Sequence, residues 1–159
     1  MKKYILSILF CTVTFFSFSQ TSNWKLIDVE KTNFSSTSLK LRKTVPTNFK
    51  VYKLDTQKLK NELSFAKANE MILIEIPTPD GVQRFSLKKT STLSLELTLK
   101  FPVIASYVAK GIDNPSAVAR ISFGTDGFHG VIFYGDKPSF YIDPYTKNNE
   151  YYIAYSRSS

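Results

Sequence analysis

The chain offers few side chains that could carry out catalysis. His129 is its only histidine, whereas a zinc site normally needs three or four His, Cys or acidic ligands at defined spacing. The sequence contains no HExxH zinc motif, no GxSxG nucleophile motif and no glycine-rich phosphate loop. We expect a hydrogen-bonded structural role for His129. We expect local backbone bonding for three aspartates at turns or strand ends, Asp126, Asp136 and Asp143. The chain is therefore predicted to be non-catalytic and to hold no cofactor of its own.

The N-terminus has the pattern of a secretory signal peptide. Lys2 and Lys3 form a basic start, residues 4–18 are almost wholly apolar, and small residues then suit cleavage after Ser19. An uncleaved anchor or a lipoprotein signal is the alternative. However, the apolar run is short for a membrane span, and Cys11 lies in its middle. We predict a cleaved signal over residues 1–19 and export of the remainder.

Residues 20–159 are enough for a single domain with a hydrophobic core. The signal holds the only cysteine, so the mature domain must be stabilised by a core rich in Tyr and Phe rather than by disulfides. The formal charge is +8, and loss of two signal lysines lowers it to +6. The excess lies in residues 40–60, which form either a solvated face or a patch for an acidic protein partner. Nucleic acid and stable membrane association are not expected. The candidate partner-binding residues are Lys40, Arg42, Lys43, Lys50 and Lys53.

The apolar runs and turns predict an α+β fold that is predominantly antiparallel β, with hairpins, a C-terminal β-meander and one or two short helices. The meander over Val118–Tyr145 organises the chain, because two Gly/Asp turns separate three β-prone runs there. The second run, residues 128–134, is apolar on both faces. It is therefore expected to be a covered central strand, with Ile132 and Phe133 both buried.

Other elements are predicted before and after the meander. A strand at residues 50–54 runs into Asp55, the expected N-cap of a helix over residues 56–66. A second hairpin turns at Pro79-Asp80-Gly81, where Gly81 should have a positive φ. Its strands are predicted at residues 71–76 and 82–88, with further strands at 104–110 and 150–155 and a weak strand or arm at 24–34. Residues 94–101 fit a strand by their alternating leucines and a short helix by their Leu, Glu and Lys propensities.

Four segments together resemble, in their order and spacing, the N-terminal propeptide-like region of secreted bacterial reprolysin-like zinc metallopeptidases. They are Tyr52-Lys53-Leu54-Asp55 with Leu59 and Leu63; Ile76–Gly81 with Arg84-Phe85; Phe101–Ile104 with Tyr107, Gly111–Pro115 and Ala119-Arg120; and Gly127-Phe128-His129 with Tyr141–Tyr145. The resemblance implies a short helix over residues 94–101.

The resemblance also implies a function. In such proteins a catalytic domain with an HExxH zinc helix follows this region, so that here it would follow Ser159. The chain would then be either a fragment or a free-standing copy of the N-terminal domain. Its expected partner is the cognate metallopeptidase catalytic domain, in cis or in trans, which it would help to fold and keep latent during export. Zinc is expected only in that catalytic domain.

One residue is a candidate for direct latency. The sequence Phe133-Tyr134-Gly135-Asp136 matches the Phe-x-Gly-Asp pattern by which astacin propeptides place an aspartate on zinc. Asp136 is thus a candidate zinc-blocking residue, against the alternative that Gly-Asp is ordinary turn chemistry. The competing function is a free-standing secreted β-rich module that binds glycan, a cell surface or protein. It is favoured by tyrosines near the C-terminus, Tyr141, Tyr145, Tyr151, Tyr152 and Tyr155.

Overall fold

The computed structural model describes residues 22–42, 44–64, 70–90, 95–101 and 104–157. The predicted signal peptide and Lys43 lie outside these ranges. The strands are β1 Trp24–Ile27, β2 Phe49–Leu54, β3 Ile72–Thr78, β4 Gly81–Thr90, β5 Ala105–Gly111, β6 Val118–Gly124, β7 Gly127–Phe133, β8 Phe140–Pro144 and β9 Tyr151–Ser156. The helices are α1 Thr56–Ser64 and α2 Leu95–Lys100, with one 3-10 turn at Ser36–Ser38. The predicted α+β fold, dominated by antiparallel strands, is confirmed.

All nine strands form one sheet, in the order β1-β2-β9-β8-β7-β6-β5-β4-β3, and every pair is antiparallel. Strands β3 to β9 therefore follow one another as a meander, and β2 and β1 extend it on the β9 side. The two edges approach each other. The indole Nε1 of Trp24 on β1 donates a hydrogen bond of 2.9 Å to the carbonyl oxygen of Glu75 on β3. The sheet thus curls around its apolar face.

The core lies on the inner, apolar face of this curled sheet. Alternate residues of each strand point into it, as the period of two in a strand requires. In β6 and β7 these include Ala119, Ile121, Phe128 and Ile132, all buried. Trp24 packs edge to face against Phe128, with ring centroids 5.2 Å apart. Such aromatic pairs add about 0.5–1.5 kcal/mol beyond the burial of their surface.

Both predicted helices are present. The Asp55 carboxylate accepts a hydrogen bond of 2.9 Å from the backbone N–H of Lys58, so Asp55 is the N-cap of α1 as predicted. Leu59 of α1 is fully buried, and Leu63 packs against the core. The predicted continuation of α1 to Ala66 lies outside the described residues. Helix α2 confirms the helical alternative for residues 94–101 over their described part.

The hairpin of β3 and β4 differs from the prediction in one respect. Strand β3 continues through Pro77 and Thr78, which the sequence placed in the turn. Proline is tolerated there because β3 is an edge strand and needs no donor on its open side. The turn itself is shorter, and Gly81 has a φ of 110°, as predicted. A positive φ of this kind favours glycine.

Strand β7 corrects a second prediction. Phe128 and Ile132 are fully buried, but the side chain of Phe133 remains 43% exposed. The expectation that β7 is covered on both faces is therefore wrong. The core lies on one face only, and the outer face of β7 carries Phe133 towards solvent. An apolar residue on the second face of a strand therefore does not show that another layer packs on that face.

An N-terminal arm, residues 28–42 and 44–47, crosses the outer face at β8 and β9. The backbone N–H of Lys40 donates to the carbonyl of Tyr145 at 3.0 Å, and the N–H of Lys147 donates to Ser38 at 2.9 Å. The ring of Phe34 packs edge to face on Tyr151, with centroids 5.0 Å apart. The arm thus covers one side of the outer face and leaves β4 to β7 open.

Candidate functional site

The outer face of β4 to β8 carries charged, hydroxyl and aromatic side chains that could interact with a ligand. Cross-strand pairing places them in rows across the sheet. The polar row contains Thr90, Ser106, Ser122, His129 and Asp143. The next row contains Lys88, Val108, Arg120, Val131 and Tyr141. The third contains Ser86, Lys110, Val118 and Phe133.

A groove of about 350 Å³ runs between the first two rows. Arg120, His129, Tyr141 and Asp143 contribute to its lining, with hydroxyl groups from the polar row. It combines an apolar floor with a few convergent polar groups, which is the usual make-up of a binding site.

His129 lies at one end of the groove and binds a carboxylate through each ring nitrogen. Its Nδ1 is 2.9 Å from Oδ1 of Asp143, and its Nε2 is 2.9 Å from Oδ2 of Asp126. Asp143 also accepts a hydrogen bond of 2.9 Å from the hydroxyl of Tyr155, and its Oδ2 lies 3.7 Å from the Arg42 guanidinium. The cluster therefore joins the β6–β7 turn, β8, β9 and the arm.

The electrostatics of this cluster favour a charged imidazolium. The hydrogen bond to Asp143 raises the pKa of His129; burial lowers it, the hydrogen bond to Asp126 raises it further, and the net pKa lies above its ordinary value. Burial raises the pKa of Asp143, but hydrogen bonds from His129 and Tyr155 outweigh this and leave it below its ordinary value. When His129 is protonated both nitrogens donate, and the ring then has no free lone pair to act as a base. The cluster is thus a structural clamp.

The turn and strand-end positions of Asp126 and Asp143 predict only local backbone bonding, so the sequence does not reveal this cluster with His129. Asp126 lies three residues before His129 across a tight turn, and the β7–β8 register places Asp143 beside it. The register of the meander was the signal that could have revealed it. Over the described part of the chain, no group of three or more His, Cys, Asp or Glu side chains could hold a metal ion.

The predicted partner-binding cations lie in different places, and each described one has an intramolecular contact. Lys40 donates to the carbonyl of Asp126 at 2.6 Å, and Arg42 donates to that of Pro144 at 3.2 Å. Lys50 donates to the carbonyl of Pro79 at 3.1 Å, and Lys53 lies 2.6 Å from a carboxylate oxygen of Glu150. They do not form one continuous patch, and their role towards a partner stays a prediction.

Asp136 lies exposed in the β7–β8 loop, close to Phe133 at the end of β7. The neighbouring Lys137 pairs with Asp80 at 3.2 Å and so ties this loop to the β3–β4 turn. A Cβ added to Gly135 would meet no atom within 4 Å, and Gly135 is not among the glycines with positive φ. The backbone therefore does not require glycine at this position.

Two of the segments on which the predicted resemblance rests contact each other through Arg84 and Asp113. Arg84 donates to both carboxylate oxygens of Asp113 through its side chain, and its backbone N–H donates to Oδ2 of Asp113 at 2.7 Å. His129 and Asp143, from the fourth segment, form the clamp described above. The Arg84–Asp113 pair thus ties the loop after β5 to β4.

Comparison of the chain with protein-family models, curated proteins and solved structures finds no match. The resemblance to a metallopeptidase propeptide therefore stays a prediction. No helix among the described residues is long and apolar enough to cross a membrane.

Proposed function

We propose that this chain is the exported, non-catalytic N-terminal domain of a zinc metallopeptidase system, which binds the catalytic domain, assists its folding and keeps it latent. The observation that carries the proposal is the position of the Phe-x-Gly-Asp sequence. Phe133 is exposed at the end of β7, and Asp136 is exposed in the loop that follows, three residues later. The ordered family-like segments and the export signal support the same function.

The preferred mechanism is steric cover of the catalytic cleft. Phe133 and its cross-strand neighbour Val118 provide apolar contact surface on a rigid sheet. The Lys137–Asp80 pair links the loop carrying Asp136 to the β3–β4 turn, and any order that the loop has before binding lowers the cost of association. In the sharper variant, the Asp136 carboxylate would supply an oxygen ligand to the partner's zinc, because carboxylate oxygen is an ordinary zinc ligand.

Substitution of Asp136 separates the two mechanisms. Asp136→Asn removes the charge and preserves the shape, and Glu30→Gln is a matched control at an exposed acid on the arm. We expect Asp136→Asn to weaken inhibition of the cognate catalytic domain while Glu30→Gln leaves it unchanged. Equal inhibition by all three proteins would exclude the aspartate mechanism and leave steric cover. A protein that neither binds the catalytic domain nor raises its refolding yield would contradict the proposed function itself.

A second candidate function is that of a free-standing glycan-binding module. Tyr141 and Tyr155 stack on the outer face with ring centroids 5.6 Å apart and planes 20° apart. Tyr141 also lines the groove with its row of hydroxyl groups. Aromatic faces beside polar groups suit sugar rings, whose C–H faces are apolar. Glycan binding that is lost in Tyr141→Ala, with no effect on a metallopeptidase, would favour this function.

A further inference from the structure

The open part of the outer face combines cations with exposed apolar side chains. Lys88, Lys110 and Arg120 lie on the adjacent strands β4, β5 and β6, and all three are exposed. Val118 is 40% exposed and Phe133, directly opposite it on β7, is 43% exposed. Adjacent strands are about 4.8 Å apart, so these residues fall within a patch about 10–15 Å across.

These cations lack acidic partners within the described ranges. None of the ion pairs there involves Lys88, Lys110 or Arg120. The nearby carboxylates are already engaged, since Asp113 binds Arg84 and Asp143 binds His129. The three cations therefore form no ion pair with a described carboxylate, and their positive charge stays available to a partner.

We propose that this cationic sheet face, defined by Lys88, Lys110, Arg120, Val118 and Phe133, docks an acidic protein segment that also carries large apolar side chains. Charge complementarity selects the occupant: carboxylates pair with the three cations while apolar side chains cover Val118 and Phe133. Arg120 also lines the groove, where its planar guanidinium can bind a carboxylate through two parallel hydrogen bonds. Under the proposed function, on which the partner's identity rests, this segment belongs to the surface of the catalytic domain.

The face differs from the basic segment that the sequence singled out. Lys40, Arg42, Lys50 and Lys53 each contact a carbonyl or carboxylate of the domain itself. The cations of the sheet face are scattered in the sequence, and only strand register brings them together. Local charge density along the chain could not identify them.

The test is a titration of the purified protein with an acidic peptide of sequence EFDELD, followed by backbone amide NMR shifts. We expect shifts confined to β4–β7, and weaker binding as salt rises, because exposed charges are screened. The variant K88E/K110E/R120E should bind at least about tenfold more weakly, since like charges then face each other. The control K25E/K60E/K147E changes the net charge equally at exposed lysines elsewhere and should bind as the parent does.

Three results would overturn the inference. They are equal binding by both triple variants, peptide shifts that fall outside β4–β7, and equally tight binding of a single-stranded oligothymidine or of anionic phosphatidylglycerol vesicles. The last result would make the face a general polyanion surface.

Inhibition of the catalytic domain is measured in a separate experiment. Peptide binding without inhibition would contradict the proposed function and leave the docking face intact, whereas undiminished inhibition by K88E/K110E/R120E would reject the face and leave the function intact.

Discussion

At the residue scale, His129 shows how one side chain can join distant parts of the sheet. Its two nitrogens hold Asp126 on the β6–β7 turn and Asp143 on β8, while Arg42 and Tyr155 contact Asp143 from the arm and from β9. Lys40 of the arm donates to the backbone carbonyl of Asp126. The charge on the imidazole therefore affects how strongly the β6–β7 turn and the arm are held to the sheet.

The clamp predicts a pH dependence of stability. Because the pKa of His129 is raised in the folded state, protonated His129 stabilises the fold below its unfolded pKa of about 6.5, and this stability is lost as pH rises through the folded pKa. We expect His129→Gln to lower the urea midpoint more at about pH 6 than at about pH 9. An equal decrease at both pH values would show that the imidazole charge contributes nothing.

We expect substitution by alanine to have opposite effects on stability at Gly81 and at Gly135. A Cβ at Gly81 or at Gly135 would meet no atom within 4 Å, but only Gly81 has a positive φ, of 110°. Gly81→Ala should destabilise the domain by about 1–2 kcal/mol, the cost of a strained left-handed backbone. Gly135→Ala should be neutral or stabilise by up to about 1 kcal/mol. Denaturation of both variants checks this, and similar midpoints would mean that the turn at Gly81 relaxes.

At the scale of elements, β7 has apolar residues on both faces, but only its inner face is buried. Ile132 is fully buried, and Phe133, one residue later, faces out on the open side. We expect Ile132→Ala to cost about 2–5 kcal/mol and Phe133→Ala to cost under about 1 kcal/mol. The two variants can be compared directly, because each removes a large apolar side chain and the two positions are adjacent on one strand. Equal losses in chemical denaturation would mean that the outer face of β7 is covered after all.

The elements also show what the sequence could predict. Local signals were sufficient for the Asp55 cap, the positive φ at Gly81 and the order of the C-terminal strands, because each depends on residues close in the chain. The exposure of Phe133 depends on which layer packs where, and the His129 clamp depends on the register of three strands. Neither is encoded in a local pattern. The cationic sheet face was missed for the same reason, since its members lie on different strands.

At the scale of the whole molecule, the domain is a single curled sheet with two unlike faces. The inner face and α1 form the core, and the arm covers one side of the outer face. What remains open is a cationic and partly apolar surface that includes Phe133, after which the loop with Asp136 begins. The one histidine beside it is hydrogen-bonded on both nitrogens to carboxylates of the domain itself.

The same organisation predicts how association with a partner responds to salt. The cations of the open face are exposed and have no described carboxylate partners, so they should steer an acidic surface from a distance. We expect the association rate with the catalytic domain to decrease as salt rises from about 50 to about 500 mM, with a smaller change in the dissociation rate. Stopped-flow fluorescence measures both rates. An association rate that does not depend on salt would argue for a purely apolar contact.

The central claim is that the domain restrains a zinc metallopeptidase. The most direct measurement is peptide hydrolysis by the cognate catalytic domain, expressed without this region, as the purified protein is added in trans. We predict a saturable decrease in rate whose midpoint follows the concentration of the added protein, together with recovery of the rate when the added protein is removed. Unchanged hydrolysis at every concentration, with no complex detected by size-exclusion chromatography, would contradict it.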